Sequence, residues 1–143
     1  MSGVSEARKA WTLLLEMLVA ERSRLPAIAA DLGLSEAQCH VLQRLEPDSP
    51  IAMCRVAEAL DCDRSNVTGI VDRLEARRFV ERRADPRDRR VKQVALTERG
   101  REIRERLIAA ISKPPSVIES LSETDQRTLC AILRRAIERG DTA

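Results

Sequence analysis

Two groups of polar side chains in this sequence have the types and spacing to read and grip a polyanion. The first is Arg64, Ser65, Asn66, Thr68 and Arg73. Asparagine pairs with adenine, arginine with guanine, and small hydroxyls with either. The second is denser. Between Arg77 and Lys92 stand eight basic residues against three acids, Glu81, Asp85 and Asp88. Within it Arg87, Arg89 and Arg90 fall on a turn, and an arginine on a thin β-turn enters the minor groove of a duplex, where the potential is most negative. Arg82, Arg83 and Lys92 flank that turn in position for phosphates. Asp88 has the wrong sign for a nucleic acid and reads as an internal brace that orients a neighbouring arginine by a charge-assisted hydrogen bond. Net charge over the chain is only +2, so the basic stretch is a located patch on a nearly neutral protein.

Other chemistries find little support. There is one histidine, His40, with no Ser-His-Asp set and no glycine-rich phosphate loop, which leaves nothing to run an enzyme. Cys39, Cys54, Cys62 and Cys130 form no Cys-x-x-Cys pair, so zinc-finger and thioredoxin-like spacings are both absent. Cys39 and His40 are neighbours on a helix and point in different directions, which makes a poor metal pair. Buried free thiols are the plain reading. No cofactor is expected. Hydrophobic residues make up 43% and charged residues 34% of the chain, a balance that predicts a folded, surface-charged protein. The apolar run within Trp11 to Ala20 is interrupted by Glu16 and is far short of the roughly 20 residues of a membrane helix. With no signal-peptide pattern at the N-terminus, a cytoplasmic location is expected, with no membrane partner.

The elements that must position the polar groups are mostly helical. Ala10, Leu13, Leu14, Met17 and Leu18 make a stripe at helical spacing over about residues 6–25, with Pro26 kinking or restarting the helix. Gly33 ends it, and Ser35 to Gln38 form a capping box for a helix to about Leu45. Two short helices follow, about 53–60 and from after Asp63 to about Arg77, separated by the tight turn Asp61-Cys62-Asp63. Val67, Ile70, Val71 and Leu74 give the second one a single apolar face, leaving the opposite face to the first polar group. The period then changes. Strands are predicted over 79–83 and 91–96 around a turn at 84–88. Thr97 caps a helix to about Ile111, Pro114-Pro115 end it, and a capping box at Ser122 to Asp125 opens the last helix, to about Arg139. The fold class is mainly α with a small two- or three-stranded antiparallel wing: a winged helix-turn-helix at 35–97 within one domain, flanked by dimerisation helices at 1–34 and 98–143.

A helix packed by one face and free on the other fits the major groove, and a basic hairpin adds a second contact. At this point the sequence resembles the MarR family of regulators. Val67-Thr68-Gly69-Ile70-Val71-Asp72-Arg73-Leu74-Glu75, then Asp85-Pro86-Arg87-Asp88-Arg89-Arg90, then Val94-Ala95-Leu96-Thr97-Glu98-Arg99-Gly100 carry the likeness. The resemblance implies an obligate homodimer built from the first and last helices, a pseudo-palindromic double-stranded DNA site, and repression relieved by a ligand or oxidant. It also implies that Arg90 is the minor-groove arginine and that Asp72 pairs with a wing arginine. Pro26 and Pro114-Pro115 interrupt segments that run as longer helices in that family, which leaves the dimer geometry open.

The stripes Leu13-Met17 and Leu129-Leu133-Ile137 read as a dimer seam, since two-fold symmetry would set two reading helices about one DNA turn, roughly 34 Å, apart. The expected function is a sequence-specific DNA-binding repressor tuned by an unidentified small-molecule effector, with Trp11 as interface packing. Two alternatives stay open. One is a thiol-based sensor using Cys54 or Cys62 beside the helix-turn-helix. The other is a winged helix that binds only protein, a role that does not need three arginines at the wing tip.

Overall fold

A computed structural model describes residues 5–61 and 64–140. The chain divides into two compact units, Met1–Ile111 and Ser112–Ala143.

The first unit begins with α1 (Glu6–Ala20), capped by the Ser5 hydroxyl, which accepts from the Arg8 backbone N–H. The helix stops at Ala20, and α2 (Arg24–Leu32) starts before Pro26. Of the two expectations for Pro26, a kink or a restart, the structure shows the restart, two residues ahead of the proline. Pro26 sits in the first turn of α2, where backbone N–H groups have no intrahelical acceptor, so its missing donor costs nothing. Gly33 ends α2 in the left-handed conformation, φ 67°. The Leu34 N–H returns to the Ala29 carbonyl at 2.8 Å and the Gly33 N–H to that of Ala30 at 3.0 Å, a Schellman closure. The capping box of α3 (Glu36–Arg44) forms in both directions. Gln38 N–H donates to the Ser35 hydroxyl at 3.1 Å, and Ser35 N–H donates to the Gln38 side chain at 2.9 Å.

β1 (Ile51–Ala52) leads into α4 (Met53–Leu60), and α5 (Arg64–Ala76) follows. The expected apolar face of α5 is buried: Val67, Val71 and Leu74 are fully enclosed and Ile70 is nearly so. The cap predicted at Asp63 lies outside the described residues. α5 closes on Arg78, at φ 61°, with Phe79 N–H returning to the Leu74 carbonyl at 3.0 Å. This is the same closure as at Gly33, built on an arginine.

The wing is β2 (Val80–Ala84) and β3 (Lys92–Leu96), antiparallel, with Arg82 opposite Val94 and Arg83 opposite Gln93. β1 adds to the far edge of β3, giving the order β1-β3-β2. β1 has no signature in the sequence, because two residues carry no alternation. α6 (Glu98–Ser112) is capped by Thr97, whose hydroxyl accepts from Gly100 N–H at 3.0 Å. Its Ile103 and Leu107 enter the core shared by α2, α3, α4, α5 and the sheet. Arg104 reaches from α6 to the Leu42 carbonyl at 3.1 Å and to Glu46 at 3.3 Å.

The second unit holds α7 (Ser116–Glu119), a short turn of helix after Pro114-Pro115, and α8 (Glu123–Gly140). The capping box expected at its start forms by half. Ser122 accepts from Asp125 N–H at 3.1 Å, but the Asp125 carboxylate takes the Ser122 hydroxyl at 2.7 Å instead of reaching the Ser122 backbone. An aspartate is one methylene shorter than the usual glutamate.

Candidate nucleic-acid interface

Burial of Val67, Val71 and Leu74 against the core turns the opposite face of α5 outward, which leaves Asn66, Thr68 and Arg73 exposed. Arg64 and Ser65 open the same helix; their side chains lie outside the described residues. Gly69 stands in open space, with no atom near the position a Cβ would take, so a flat surface can approach α5 there.

At the wing tip, each aspartate turns inward. Asp85 accepts from Arg87 N–H at 2.7 Å and from the Gln93 amide at 3.1 Å; Asp88 accepts from Arg90 N–H at 3.0 Å. The expectation for Asp88 was a bond to an arginine guanidinium. Its acceptor role is to the backbone instead, because in a tight turn the N–H two residues on is nearer than any long side chain. The carboxylates thus hold the loop while the side chains of Arg87, Arg89 and Arg90 point into solvent, all three exposed.

The cations divide into two classes. Arg82 is a structural tie: its guanidinium meets Asp72 at 2.5 Å and Glu75 at 2.9 Å, and its backbone N–H donates to Glu75 at 3.0 Å. That engagement, on a side chain only 22% exposed, corrects the expectation that Arg82 grips phosphate. Arg83 pairs with Glu81 on its own strand, yet remains largely exposed, and such surface pairs exchange at little cost. Arg73, Arg87, Arg89, Arg90 and Lys92, by contrast, have no carboxylate partner among the described residues. Glu75 and Asp85 were not singled out in the sequence. Glu75 had a signal, since it lies one helical turn from Asp72 on the same face.

Between the outer face of α5, the start of α4 and the wing runs an open cleft of about 430 Å³, lined by Met53, Cys54, Thr68, Arg82, Arg90, Val91 and Lys92. It brings Thr68 of α5 and the tip arginine Arg90 to one surface.

A family model described as "MarR family" matches residues 34–92, from just ahead of the α3 capping box to the first residue of β3. Residues 34–92 carry a MarR-family domain. It is 33% identical to the HTH-type transcriptional regulator YfiV of Bacillus subtilis over 99 residues, covering 69% of this chain and 62% of that one. It is 38% identical to the transcriptional repressor MprA of Escherichia coli over 112 residues, covering 76% and 64%. The chain thus spans just under two thirds of the length of each of these relatives. In fold it matches a mutant of S. aureus MepR bound to an oligodeoxyribonucleotide, with a TM-score of 0.66, 21% identity, and coverage of 90% of this chain and 96% of that one.

Within this MarR-family fold the thiols are scattered. Cys39 is fully buried, and burial, with Glu36 adding to it, pushes its thiol pKa up, which disfavours the reactive thiolate. His40, next to it, is exposed. Cys54 is half-buried and Cys130 exposed, while Cys62 lies outside the described residues. No helix of the described residues is long and apolar enough to cross a membrane.

Proposed function

We propose that this chain is a transcriptional repressor that binds double-stranded DNA as a homodimer at a pseudo-palindromic operator, with its affinity set by a small effector. The partition of the cations carries this reading. Carboxylates neutralise the arginine at the base of the wing, while the arginines at the tip and on the outer face of α5 are left for an outside anion. Asn66, Thr68 and Arg73, with Arg64 and Ser65 at the start of the helix, read base edges in the major groove. Arg90, with Arg87 and Arg89 beside it, enters the minor groove. Lys92 and Arg83 hold phosphates. The oligonucleotide bound by MepR supports DNA as the partner.

The dimer rests on unpartnered apolar surface. Trp11, Leu13, Leu18 and Val19 on α1 and Ile132, Leu133 and Ile137 on α8 are all exposed, Ile137 to 65%. Isolated apolar side chains at a surface are ordinary, but stripes along two helices mark an interface.

The test is fluorescence anisotropy on a labelled duplex from the chain's own upstream region against a scrambled duplex, at several salt concentrations. The reading expects preference for the native duplex and affinity that falls steeply with salt. Equal, weak binding to both, followed by no enrichment in a genome-wide selection, would reject it.

A further inference from the structure

A second set of guanidinium groups lies away from the outer face of α5 and the wing tip. A cleft of about 490 Å³ opens between the end of α2, the residues after α5 and the first half of α6. Leu32, Phe79 and Ile103 supply its apolar lining, and Arg77, Arg99, Arg106 and Glu102 its charged groups. Phe79 steadies two of the arginines: the guanidinium of Arg77 lies 4.7 Å from its ring centre and that of Arg99 5.6 Å. Arg77 also donates to the Gly33 carbonyl. None of the three arginines has a carboxylate partner among the described residues, and Glu102, the one acid in the lining, pairs with none of them.

Three positive charges against one around an apolar floor leave a net charge that a dianion satisfies better than a monoanion. The cation–π contacts with Phe79 restrain Arg77 and Arg99 and leave N–H groups for acceptors, each arginine offering up to five donors in a plane. We propose that this cleft binds a small phosphate monoester. The phosphoryl group sits among Arg77, Arg99 and Arg106, and the organic part lies over Leu32 and Ile103. A phosphoryl group brings a charge of about −1.5 to −2 at pH 7 and three strong acceptor oxygens. The volume falls in the range of about 300–1,000 Å³ typical of small-molecule sites. None of the lining residues belongs to the face proposed for DNA, so the site stands independently of that reading.

The experiment titrates the full-length protein with phenyl phosphate by calorimetry, with inorganic phosphate and benzoate in parallel, and repeats it on Arg99→Gln, Arg106→Gln, Arg106→Lys and Arg90→Ala. Phenyl phosphate is expected to bind at least tenfold tighter than benzoate or inorganic phosphate. Its affinity should fall tenfold or more in Arg99→Gln and Arg106→Gln and less in Arg106→Lys, which keeps the charge but not the planar fork. Arg90→Ala should leave it unchanged. Affinity should also drop below about pH 6, as the phosphoryl group takes up a proton. Arg99 and Arg106 are exposed, so their variants are expected to fold, and thermal melts check it. Retention in both glutamine variants, or loss in Arg90→Ala, would place the anion elsewhere and overturn the proposal. Equal affinity for inorganic phosphate would overturn the monoester, and equal affinity for benzoate the dianion.

Discussion

The Asp72 carboxylate lies 2.5 Å from the Arg82 guanidinium, so the outer face of α5 is tied to the base of the wing. Glu75, one turn further along α5, takes the other side of the same guanidinium at 2.9 Å. The helix and the hairpin proposed to touch DNA therefore share one electrostatic anchor.

Arg82→Ala removes that anchor and leaves two carboxylates facing each other. A loss of about 1–2 kcal/mol in stability is expected, the scale of charge-assisted hydrogen bonds at a partly exposed site. Arg82→Lys should recover only part, because an ammonium lacks the fork that spans two acceptors. Urea unfolding checks both, and an unchanged midpoint in Arg82→Ala would show the tie to be idle.

Arg90→Ala should weaken binding to the operator by about 1–3 kcal/mol, the size of a good specific contact. Asp88→Ala should weaken it as well, although it removes a negative charge, because Arg90 N–H then loses its acceptor in the turn. Anisotropy titrations read both. Tighter binding by Asp88→Ala would mean that its charge matters more than its hydrogen bond.

Leu18→Glu combined with Ile137→Glu places charge on the exposed stripes of α1 and α8. Sedimentation should then shift from dimer to monomer while the far-ultraviolet dichroism of the helices persists. A dimer that survives the pair of changes must use another surface.

Gly100→Ala is expected to cost about 3 kcal/mol or more, or to prevent folding. A Cβ there would stand 1.8 Å from the Phe79 carbonyl oxygen, which is backbone and already accepts from Thr97 N–H at 3.1 Å. Thermal melting decides it; a melting temperature within a degree or two of the parent would show that α6 can lift off the sheet freely.

The Cys39 thiol has its pKa raised above the ordinary 9.0 by burial, with Glu36 adding to the shift. The folded state therefore favours the protonated form. Its contribution to stability is complete below the unfolded value and is lost as pH rises through the higher folded value. Stability should fall at alkaline pH, and less so in Cys39→Ala. In the native protein iodoacetamide should label Cys130 and Cys54 ahead of Cys39.

Much of this architecture was legible in the sequence where one residue type has one physical use. Gly33 as a helix stop, Ser35 with Gln38 as a box, and the apolar face of α5 each follow from local rules that tertiary structure had no reason to override. The strand β1 was not legible, because two residues acquire strand geometry only from the edge of β3. Pro26 marked the restart of the helix but not the exact end of α1, because the break at residues 21–23 has no strong breaker of its own. In the site, the residue types pointed to cations, but which cations are already neutralised is a question of distance. Arg82 and Arg90 look alike in sequence, and only the fold separates the one held by Asp72 and Glu75 from the one left open at the tip.

The wing hairpin is locked at its base, where Thr97 N–H meets the Phe79 carbonyl, and again where Asp85 N–H meets the Val91 carbonyl at 2.9 Å. Within those two clamps a one-residue insertion would slip the register and carry Val94 off the core face. Beyond the second clamp, residues 86–90 are held only by local turn bonds, from Arg87 N–H to Asp85 and from Arg90 and Val91 N–H to Asp88, which set no strand register, and doubling a loop adds only about 0.6 kcal/mol of closure entropy. Chain length can therefore drift at the tip while the base stays fixed, so the reach of the arginine arm is open to evolutionary adjustment without a redesign of the core.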